Sequence, residues 1–398
     1  MFPFAVEAEE NTNGKELDLT AESAILMEAT TGKVIFEKDA DTAKPPASVT
    51  KIMTLLLIFE DLNSGKLTLE DNVTVSAHAA SMGGSQVYLE EGEVQTVDTL
   101  IKCIAVSSAN DGCVAMAEHI SGSETAFVNR MNEKAEELGM TQTNFVNCCG
   151  LDVEGHVTSA RDIAIMSREL TLKYPDIFNY TTIWMDEFTH KTAKSESTFG
   201  LSSTNKMLKS YNGCNGLKTG STSQAKFCLS ATATRNDISL IAVVMACPDS
   251  KNRIADVTAM LDYGFANVTV FEDDNPLDDL KMADISGGEK STVSIQKAES
   301  FTYTMLKDES GTEITKNIRI LDNLQAPVKE NEIIGEVDYQ LNGEVIGSVP
   351  IRAGEDVKEK TYLFSLKTLW RQLILDTCLS GKVQFSVLKK TQNWLCFA

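Results

Sequence analysis

The segment from Val49 to Phe59 is the sequence feature that most constrains the fold. Nearly every position in it is apolar, so a helix formed here is apolar on all sides and has to be buried inside a domain. Lys51 is the only charged residue of the segment. Burying an ammonium group costs free energy unless the group is paired or neutral. We therefore treat Lys51 as a candidate functional residue.

Ser48 and Lys51 are predicted to lie side by side on this helix. The Pro45-Pro46 pair keeps the chain extended, and a helix from Ser48 to about Asn63 follows it. Residues three apart are neighbours on a helix, so the Ser48 hydroxyl and the Lys51 amine meet. A desolvated, neutral amine can take the hydroxyl proton, and the helix N-terminus favours the alkoxide. The alternative is chance, because a serine three residues before a lysine occurs by accident about once in a few hundred residues.

A second motif, Ser108-Ala109-Asn110, follows a helical pattern and is predicted to lie on a loop. Serine can relay a proton, and asparagine offers both a hydrogen-bond donor and an acceptor. The alternative interpretation is a helix cap followed by an ordinary loop.

A third motif, Lys218-Thr219-Gly220, begins a predicted strand. Lys218 and Thr219 can hold a substrate carboxylate, and Gly220 lets an extended peptide approach the strand edge. The charge of Lys218 also disfavours a second positive charge on Lys51. The alternative is a turn–strand junction without chemistry.

The order of predicted elements indicates an α+β fold. A hairpin over 23–38, a helical middle and further strands predict one antiparallel sheet flanked by helices over 21–268. Short alternating segments separated by turn residues then predict a small all-β domain over 270–356. The strands expected are Gly216–Ser221, Lys226–Thr234, Ile238–Ala246, Ser291–Gln296, Phe301–Leu306 and Glu344–Val349, and helical patterns cover 97–138, 159–173 and 251–265.

The two ends of the chain carry separate expectations. Residues 1–20 are predicted to be a disordered leader, with Val6 and Ala8 at the spacing of a signal-peptide cleavage site. Residues 358–376 combine apolar residues at helical spacing with a local excess of Lys and Arg, which predicts a helix on a membrane surface. The alternatives are a helix packed on the β domain and a self-association face. Residues 377–398 have no assigned role.

Composition excludes several classes of function. A formal net charge of −21 argues against nucleic acid as a partner, because phosphate binding needs a basic surface. No apolar run is long enough to span a membrane. The nine cysteines include no C-x-x-C pair, so zinc is not expected and most thiols are predicted to be small buried residues. We expect neither a metal nor another cofactor.

The three motifs occur in an order that resembles the signature of penicillin-binding proteins and serine β-lactamases. More specifically, about residues 22–356 resemble D-alanyl-D-alanine carboxypeptidases of the low-molecular-mass penicillin-binding protein group. The segments that carry this resemblance are Pro45–Thr54, Gly84–Val87, Ser108–Asn110, Asn144–Asn147, Gly150–Asp152, Ser159–Asp162 and Gly213–Gly220.

The resemblance implies removal of the terminal D-alanine from peptidoglycan stem pentapeptides through an acyl-enzyme on Ser48. It implies that Lys51 acts as the base, and that Ser108 and Asn110 assist proton transfer and hold the peptide. It further implies inhibition by β-lactams and a place in the bacterial cell envelope, on the outer face of the cytoplasmic membrane.

The same resemblance assigns the substrate-binding residues of the third motif. Lys218 and Thr219 would bind the terminal carboxylate, and Gly220 lies beside them on the strand. The backbone amides of Ser48 and Ser221 would form an oxyanion hole.

This chain departs from the family pattern at three places beside the site. Cys148-Cys149 stand where proline followed by threonine or histidine is common, and Asn215 stands where aspartate is usual. Ser221 stands where some relatives have histidine. These differences bear on rate and substrate preference rather than on the type of reaction.

Three competing functions remain. A Ser-His-Asp hydrolase is disfavoured, because the four histidines lack a triad context and no G-x-S-x-G elbow is present. A serine β-lactamase shares the acylation machinery but needs a deacylating base, for which no glutamate motif is clear. A penicillin-binding cell-wall scaffold with decayed catalysis is the non-enzyme alternative.

Overall fold

The computed structural model describes residues 17–192, 195–307 and 313–379. The chain divides into two compact units, Met1–Thr269 and Val270–Ala398. Most of the predicted leader and most of the unassigned tail therefore lie outside the described residues.

The first unit combines helices with one main sheet. Its helices are α1 (Lys51–Asn63), α2 (Ala77–Ala80), α3 (Val97–Ser107), α4 (Asn110–Ser121), α5 (Glu124–Glu137), α6 (Ala160–Lys173), α7 (Phe178–Thr181), α8 (Met207–Ser210) and α9 (Ser250–Asn267). Its strands are β1 (Ser23–Glu28), β2 (Val34–Lys38), β3 (Asn72–Thr74), β4 (Val94–Thr96), β5 (Met185–Lys191), β6 (Glu196–Ser202), β7 (Cys214–Thr222), β8 (Lys226–Arg235) and β9 (Ile238–Cys247). The main sheet is antiparallel, with strand order β2-β1-β9-β8-β7.

Helices cover both faces of the main sheet. Side chains alternate between the two faces of a strand, and Ile25 and Met27 of β1 belong to the hydrophobic core that contains α1. Leu26 points to the opposite face, where a Cβ on Gly264 of α9 would lie 3.0 Å from Leu26 Cδ2 and 2.6 Å from Leu240 Cδ1. The glycine thus lets α9 approach the sheet closely. The predicted α+β fold is confirmed.

Helix α1 is buried as its sequence predicts, because every residue from Lys51 to Phe59 is buried. Its predicted start is wrong by three residues. Ala47–Thr50 forms a 3₁₀ turn, and the α-helix begins at Lys51. Ala47 has a φ of 50°, a left-handed conformation that interrupts regular helical geometry before Ser48.

The second unit is built from short strands around its own core. Its strands are β10 (Val268–Asp273, beginning at the boundary), β11 (Met282–Asp284), β12 (Thr292–Ser294), β13 (Phe301–Leu306), β14 (Thr315–Ile320), β15 (Ile333–Leu341) and β16 (Glu344–Arg352). They form an antiparallel sheet β14-β15-β16 and the pairs β10-β13 and β11-β12. Tyr339 is fully buried and stacks on Phe301, with ring centroids 3.7 Å apart. The strand predicted over 291–296 is shorter than expected.

A last helix, α10 (Tyr362–Leu379), follows these strands in the second unit. Leu363 is 70% exposed and Trp370 is 64% exposed, and the other large apolar side chains of the predicted stripe are also exposed. Across the described part of the chain, no helix has both the length and the apolar character that crossing a membrane requires.

Candidate active site

The 3₁₀ turn and the start of α1 bring the first predicted pair together. Lys51 Nζ lies 3.1 Å from Ser48 Oγ. Lys51 is completely buried, whereas Ser48 is only partly buried. The hydroxyl is therefore reachable from outside while the amine beside it is shielded from water.

The hydrogen bonds of Lys51 explain how its amine can serve as a base. Nζ lies 2.7 Å from Asn110 Oδ1 and 2.6 Å from the carbonyl oxygen of Cys149, and both atoms accept hydrogen bonds. A neutral amine has two N–H groups and one lone pair. If its two N–H groups bind these oxygens, the lone pair remains for the Ser48 hydroxyl. After proton transfer, the third N–H can donate to the Ser48 oxygen, so all three contacts persist.

The second motif meets the first through Asn110. Ser108, which is buried, has a φ of 61° and ends α3, which turns the chain toward α4. The prediction of a loop is wrong for Asn110, because this residue is the first of α4. A sharp left-handed turn, rather than an extended loop, places its side chain against Lys51. Ser108 lies two residues away in the same turn.

A segment over residues 83–89, the 83–89 loop, also lies against Asn110. Asn110 Nδ2 donates to the carbonyl of Gly83, and its backbone N–H donates to the carbonyl of Ser85. The neighbouring Asp111 accepts from the N–H groups of Val87 and Leu89. Burial raises the pKa of Asp111, while these backbone hydrogen bonds oppose the shift. No sequence pattern singled out Asp111, although this residue follows the second motif directly.

The third motif contacts the 3₁₀ turn Ala47–Thr50, here called the Ser48 turn, because Gly220 has no side chain. A Cβ at Gly220 would lie 2.9 Å from the carbonyl oxygen of Pro46 and 3.0 Å from the backbone nitrogen of Ser48. Real Cβ atoms do not approach backbone atoms this closely, so the glycine is required for β7 to touch the turn. β7 is also one of the two edge strands of the main sheet, as expected for a strand that receives a peptide.

Lys218 and Thr219 occupy the same strand with different surroundings. Lys218 is 1% exposed, and its Nζ donates to the carbonyl of Thr219 at 3.0 Å. Burial, followed by the nearby positive charge of Lys51, holds the pKa of Lys218 well below its usual range. The hydroxyl of Thr219 lies 2.6 Å from that of Thr204, a contact that the sequence did not indicate.

The unusual Cys148-Cys149 pair contacts Lys51 and α1 through its backbone. Thr54 Oγ1 donates to the carbonyl of Cys148, and Lys51 donates to that of Cys149. Side chains at these two positions can therefore change without removing the contact. Asn147 shapes this turn, because its Oδ1 accepts from the N–H groups of Cys149, Gly150 and Leu151. A side chain on Gly150 would collide with the carbonyl of Ala47.

The other two positions at which this chain differs from the expected motif pattern, Asn215 and Ser221, both lie on β7. Asn215 is tied to the sheet, since Thr232 Oγ1 donates to its side-chain oxygen at 2.7 Å. Ser221 is exposed. His156, one of the four histidines without a triad context, is buried and lies between Thr50 Oγ1 and the N–H of Val146, so it has a structural role.

The structure brings all three motifs to one place. Asn110 bonds to Lys51, and Gly220 packs against the backbone of Ser48. A partly accessible hydroxyl beside a buried amine, with a second lysine on an adjoining edge strand, is an arrangement typical of active-site-serine enzymes of the acyl-transfer class.

Comparisons with known proteins give the family. Residues 8–249 match the model of the D-alanyl-D-alanine carboxypeptidase family of S11 peptidases, and residues 265–359 match the C-terminal domain of penicillin-binding protein 5. The D-alanyl-D-alanine carboxypeptidase DacF of Bacillus subtilis is 40% identical over 92% of this chain and 93% of its own length. The chain therefore belongs to the family of serine-type D-alanyl-D-alanine carboxypeptidases.

Solved structures agree with this family. Penicillin-binding protein 5 from Haemophilus influenzae is 30% identical and superimposes with a TM-score of 0.68, covering 87% of this chain and 100% of its own. Penicillin-binding protein D2 from Listeria monocytogenes, in an ampicillin-bound form, is 29% identical with a TM-score of 0.53. That match covers 63% of this chain and 100% of the Listeria chain.

The lowered pKa of Lys218 predicts a stability difference that depends on pH. Between its lowered pKa in the folded protein and the ordinary value of 10.5, Lys218 binds more protons in the unfolded state, so the wild-type protein gains stability as the pH rises through this window. Lys218→Met removes this titration. We expect the advantage in unfolding free energy of Lys218→Met over wild type to shrink by up to about 1.4 kcal/mol per pH unit in this window. Denaturant unfolding at several pH values measures it.

Lys251→Met, at the exposed start of α9, is the matched control for this measurement. Its difference from wild type should change much less with pH. A gap between Lys218→Met and wild type that stays constant up to pH 10 would contradict the assigned shift.

Proposed function

We propose that this chain removes the terminal D-alanine from peptidoglycan stem pentapeptides, with Ser48 as nucleophile and Lys51 as its base. The observation that carries the proposal is the set of three contacts made by the buried Lys51 amine. Two of these contacts are to oxygens that can only accept, so the lone pair of a neutral amine at this position would face the Ser48 hydroxyl.

The reaction follows from this arrangement in two steps. Ser48 Oγ attacks the carbonyl carbon of the penultimate D-alanine while Lys51 Nζ takes the hydroxyl proton. The amide bond to the last D-alanine then breaks. Its nitrogen leaves with the proton that Lys51 took from Ser48, which Ser108 relays. Water next attacks the ester on Ser48, which releases the shortened peptide and restores the hydroxyl. Asn110 holds Lys51 in place and contributes an amide for the peptide.

Two residues of the third motif suit the substrate carboxylate. The buried Lys218 lacks a carboxylate partner among the described residues, so a bound carboxylate supplies the missing negative charge. The Thr219 hydroxyl lies one residue further along β7, where it can donate to the same group. Thr204 can donate to Thr219 and so leave the Thr219 proton free for the substrate.

The free edge of β7 suits an extended peptide, and two backbone amides suit its carbonyl oxygen. Gly220 brings β7 against the Ser48 turn, so the N–H groups of Ser48 and Ser221 lie on neighbouring pieces of backbone. We assign these two groups to the oxyanion hole. The same geometry suits the β-lactam ring, and the ampicillin-bound form of the Listeria relative supports β-lactams as inhibitors of this chain.

We also propose that Met1–Thr269 acts as the catalytic domain, and that α10 attaches the protein to the outer face of the cytoplasmic membrane. Exposed apolar side chains such as Leu369 and Trp370 can enter the lipid interface. Lys367 and Arg371 on the same helix can bind anionic headgroups. A self-association face is the alternative role of α10.

The nucleophile assignment predicts the behaviour of Ser48→Ala. Because the acylated hydroxyl is gone, this variant should show no covalent labelling by a fluorescent penicillin, while wild type should be labelled and should release D-alanine from a D-Ala-D-Ala peptide. Gel fluorescence and a D-alanine assay measure the two activities. Ser202→Ala, on the exposed end of β6, is the control and should be labelled normally.

Either of two results would overturn the assignment. Labelling of Ser48→Ala that persists would place the acyl group elsewhere. Rapid multiple turnover of a chromogenic cephalosporin by wild type, without D-alanine release, would instead favour a β-lactamase.

The role of α10 predicts the behaviour of a chain that ends at Lys360. This truncated protein should no longer sediment with vesicles of anionic phospholipid, whereas its activity on a soluble peptide should stay within about 2-fold of the full chain, because the site lies in the other unit. Co-sedimentation that persists after truncation would refute attachment through α10. Loss of a dimer on truncation, with no vesicle binding by the full chain, would identify a self-association face.

A further inference from the structure

Arg253 on α9 is a buried cation without an acidic partner. The residue is 8% exposed, and no ion pair to a carboxylate is found for it in the described ranges. Its Nη1 donates to the carbonyl oxygens of Gly220 at 3.2 Å and Cys228 at 3.1 Å. Its Nε has no hydrogen-bond partner in the described part of the protein, and its guanidinium lies 5.6 Å from the ring centroid of Phe227.

This arrangement is costly for folding alone. Burial lowers the pKa of Arg253, which records how strongly its surroundings disfavour the charge. Arg130, by comparison, forms a two-pronged ion pair with Asp61. An apolar side chain at position 253 would fill the same space without desolvating a charge. The cation therefore needs an explanation other than stability.

One of the two carbonyl groups that Arg253 binds lies directly before Ser221 in the chain. The C=O of Gly220 and the N–H of Ser221 belong to one peptide group, whose electrons are delocalised between oxygen and nitrogen. A positively charged donor at the oxygen draws electron density from the nitrogen and makes the N–H a stronger donor. In an extended strand with a trans peptide, the two groups point to opposite sides. The N–H of Ser221 therefore points away from Arg253.

The position of Gly220 connects this peptide group to the reacting serine. A Cβ on Gly220 would lie 3.0 Å from the backbone nitrogens of both Ser48 and Val49. The polarised N–H of Ser221 thus belongs to the piece of backbone that packs on the Ser48 turn. Cys228, the second carbonyl bound by Arg253, lies opposite Gly220 in β8, so the guanidinium also fixes the spacing of β7 and β8 there.

We propose that Arg253 is a positioning residue that strengthens the oxyanion hole by polarising the Gly220–Ser221 peptide group. The inference rests on the proposed function, because it requires that the substrate carbonyl oxygen sit between the amides of Ser48 and Ser221. Arg253 itself touches no reacting atom. Its charge is expected to matter more than its shape.

The test compares Arg253→Gln, which removes the charge, with Arg253→Lys, which keeps it. Two quantities are measured on each: the rate of acylation by a penicillin, and the stretching frequency of the acyl-enzyme ester carbonyl, by infrared difference spectroscopy with a ¹³C-labelled ligand. Loss of a whole oxyanion donor slows catalysis about 100- to 1000-fold, so weakening one should slow acylation by about 10-fold.

The expected results separate electrostatics from simple packing. In Arg253→Gln the ester band should move to higher frequency, because the hydrogen bond from Ser221 is weaker, and acylation should slow by about 10-fold. In Arg253→Lys the band should stay near its wild-type position and the rate within about 3-fold. Asp256→Ala, one turn along α9, removes the acceptor of Thr20 and Ala21 and is the control for destabilisation. Its band should not move.

The result that overturns the proposal is an Arg253→Gln acyl-enzyme with the wild-type band and rate. If that variant does not fold, Arg253→Lys decides the matter by itself. A shifted band and an acylation rate at least 10-fold below wild type in Arg253→Lys would show that the forked shape of the guanidinium, not its charge, is what matters. Failure of wild type to form an acyl-enzyme would instead refute the proposed function.

Discussion

The contact between the Lys51 amine and the Ser48 hydroxyl is the interaction on which the rest of the site depends. Lys51 can be buried because two oxygens, Asn110 Oδ1 and the carbonyl of Cys149, accept hydrogen bonds from its N–H groups. With these two contacts made, the third position of the Lys51 amine faces Ser48 Oγ. One arrangement therefore meets the requirement of burial and the requirement of chemistry.

Backbone geometry, more than side-chain chemistry, brings the pieces to this contact. Ala47 and Ser108 take left-handed conformations at the two turns that present Ser48 and Asn110. Gly150 and Gly220 remove side chains where two pieces of backbone touch the Ser48 turn. These four positions together hold the backbone that presents Ser48 and Asn110.

The sequence predicted the burial of Lys51, the meeting of three motifs and the α+β class, because apolar patterning and side-chain identity carry those signals. It could not predict that the carbonyl of Cys149 binds Lys51, since every residue has a carbonyl and only tertiary structure aims one. The 3₁₀ turn at Ser48 and the helix start at Asn110 were missed because left-handed residues other than glycine leave no reliable pattern. Arg253 had no motif around it, and only its burial beside Gly220 made it notable.

The rate of penicillin acylation of Lys51→Met, followed by intact-protein mass, is the decisive test of Lys51 as the base for Ser48. Methionine fills similar space without a base and without a buried charge, so the variant should fold and keep Ser48 in place. We expect an acylation rate about 100- to 10,000-fold below wild type, the range for loss of a general base. Acylation of Ser48 in this variant at a rate within about 3-fold of wild type would contradict it.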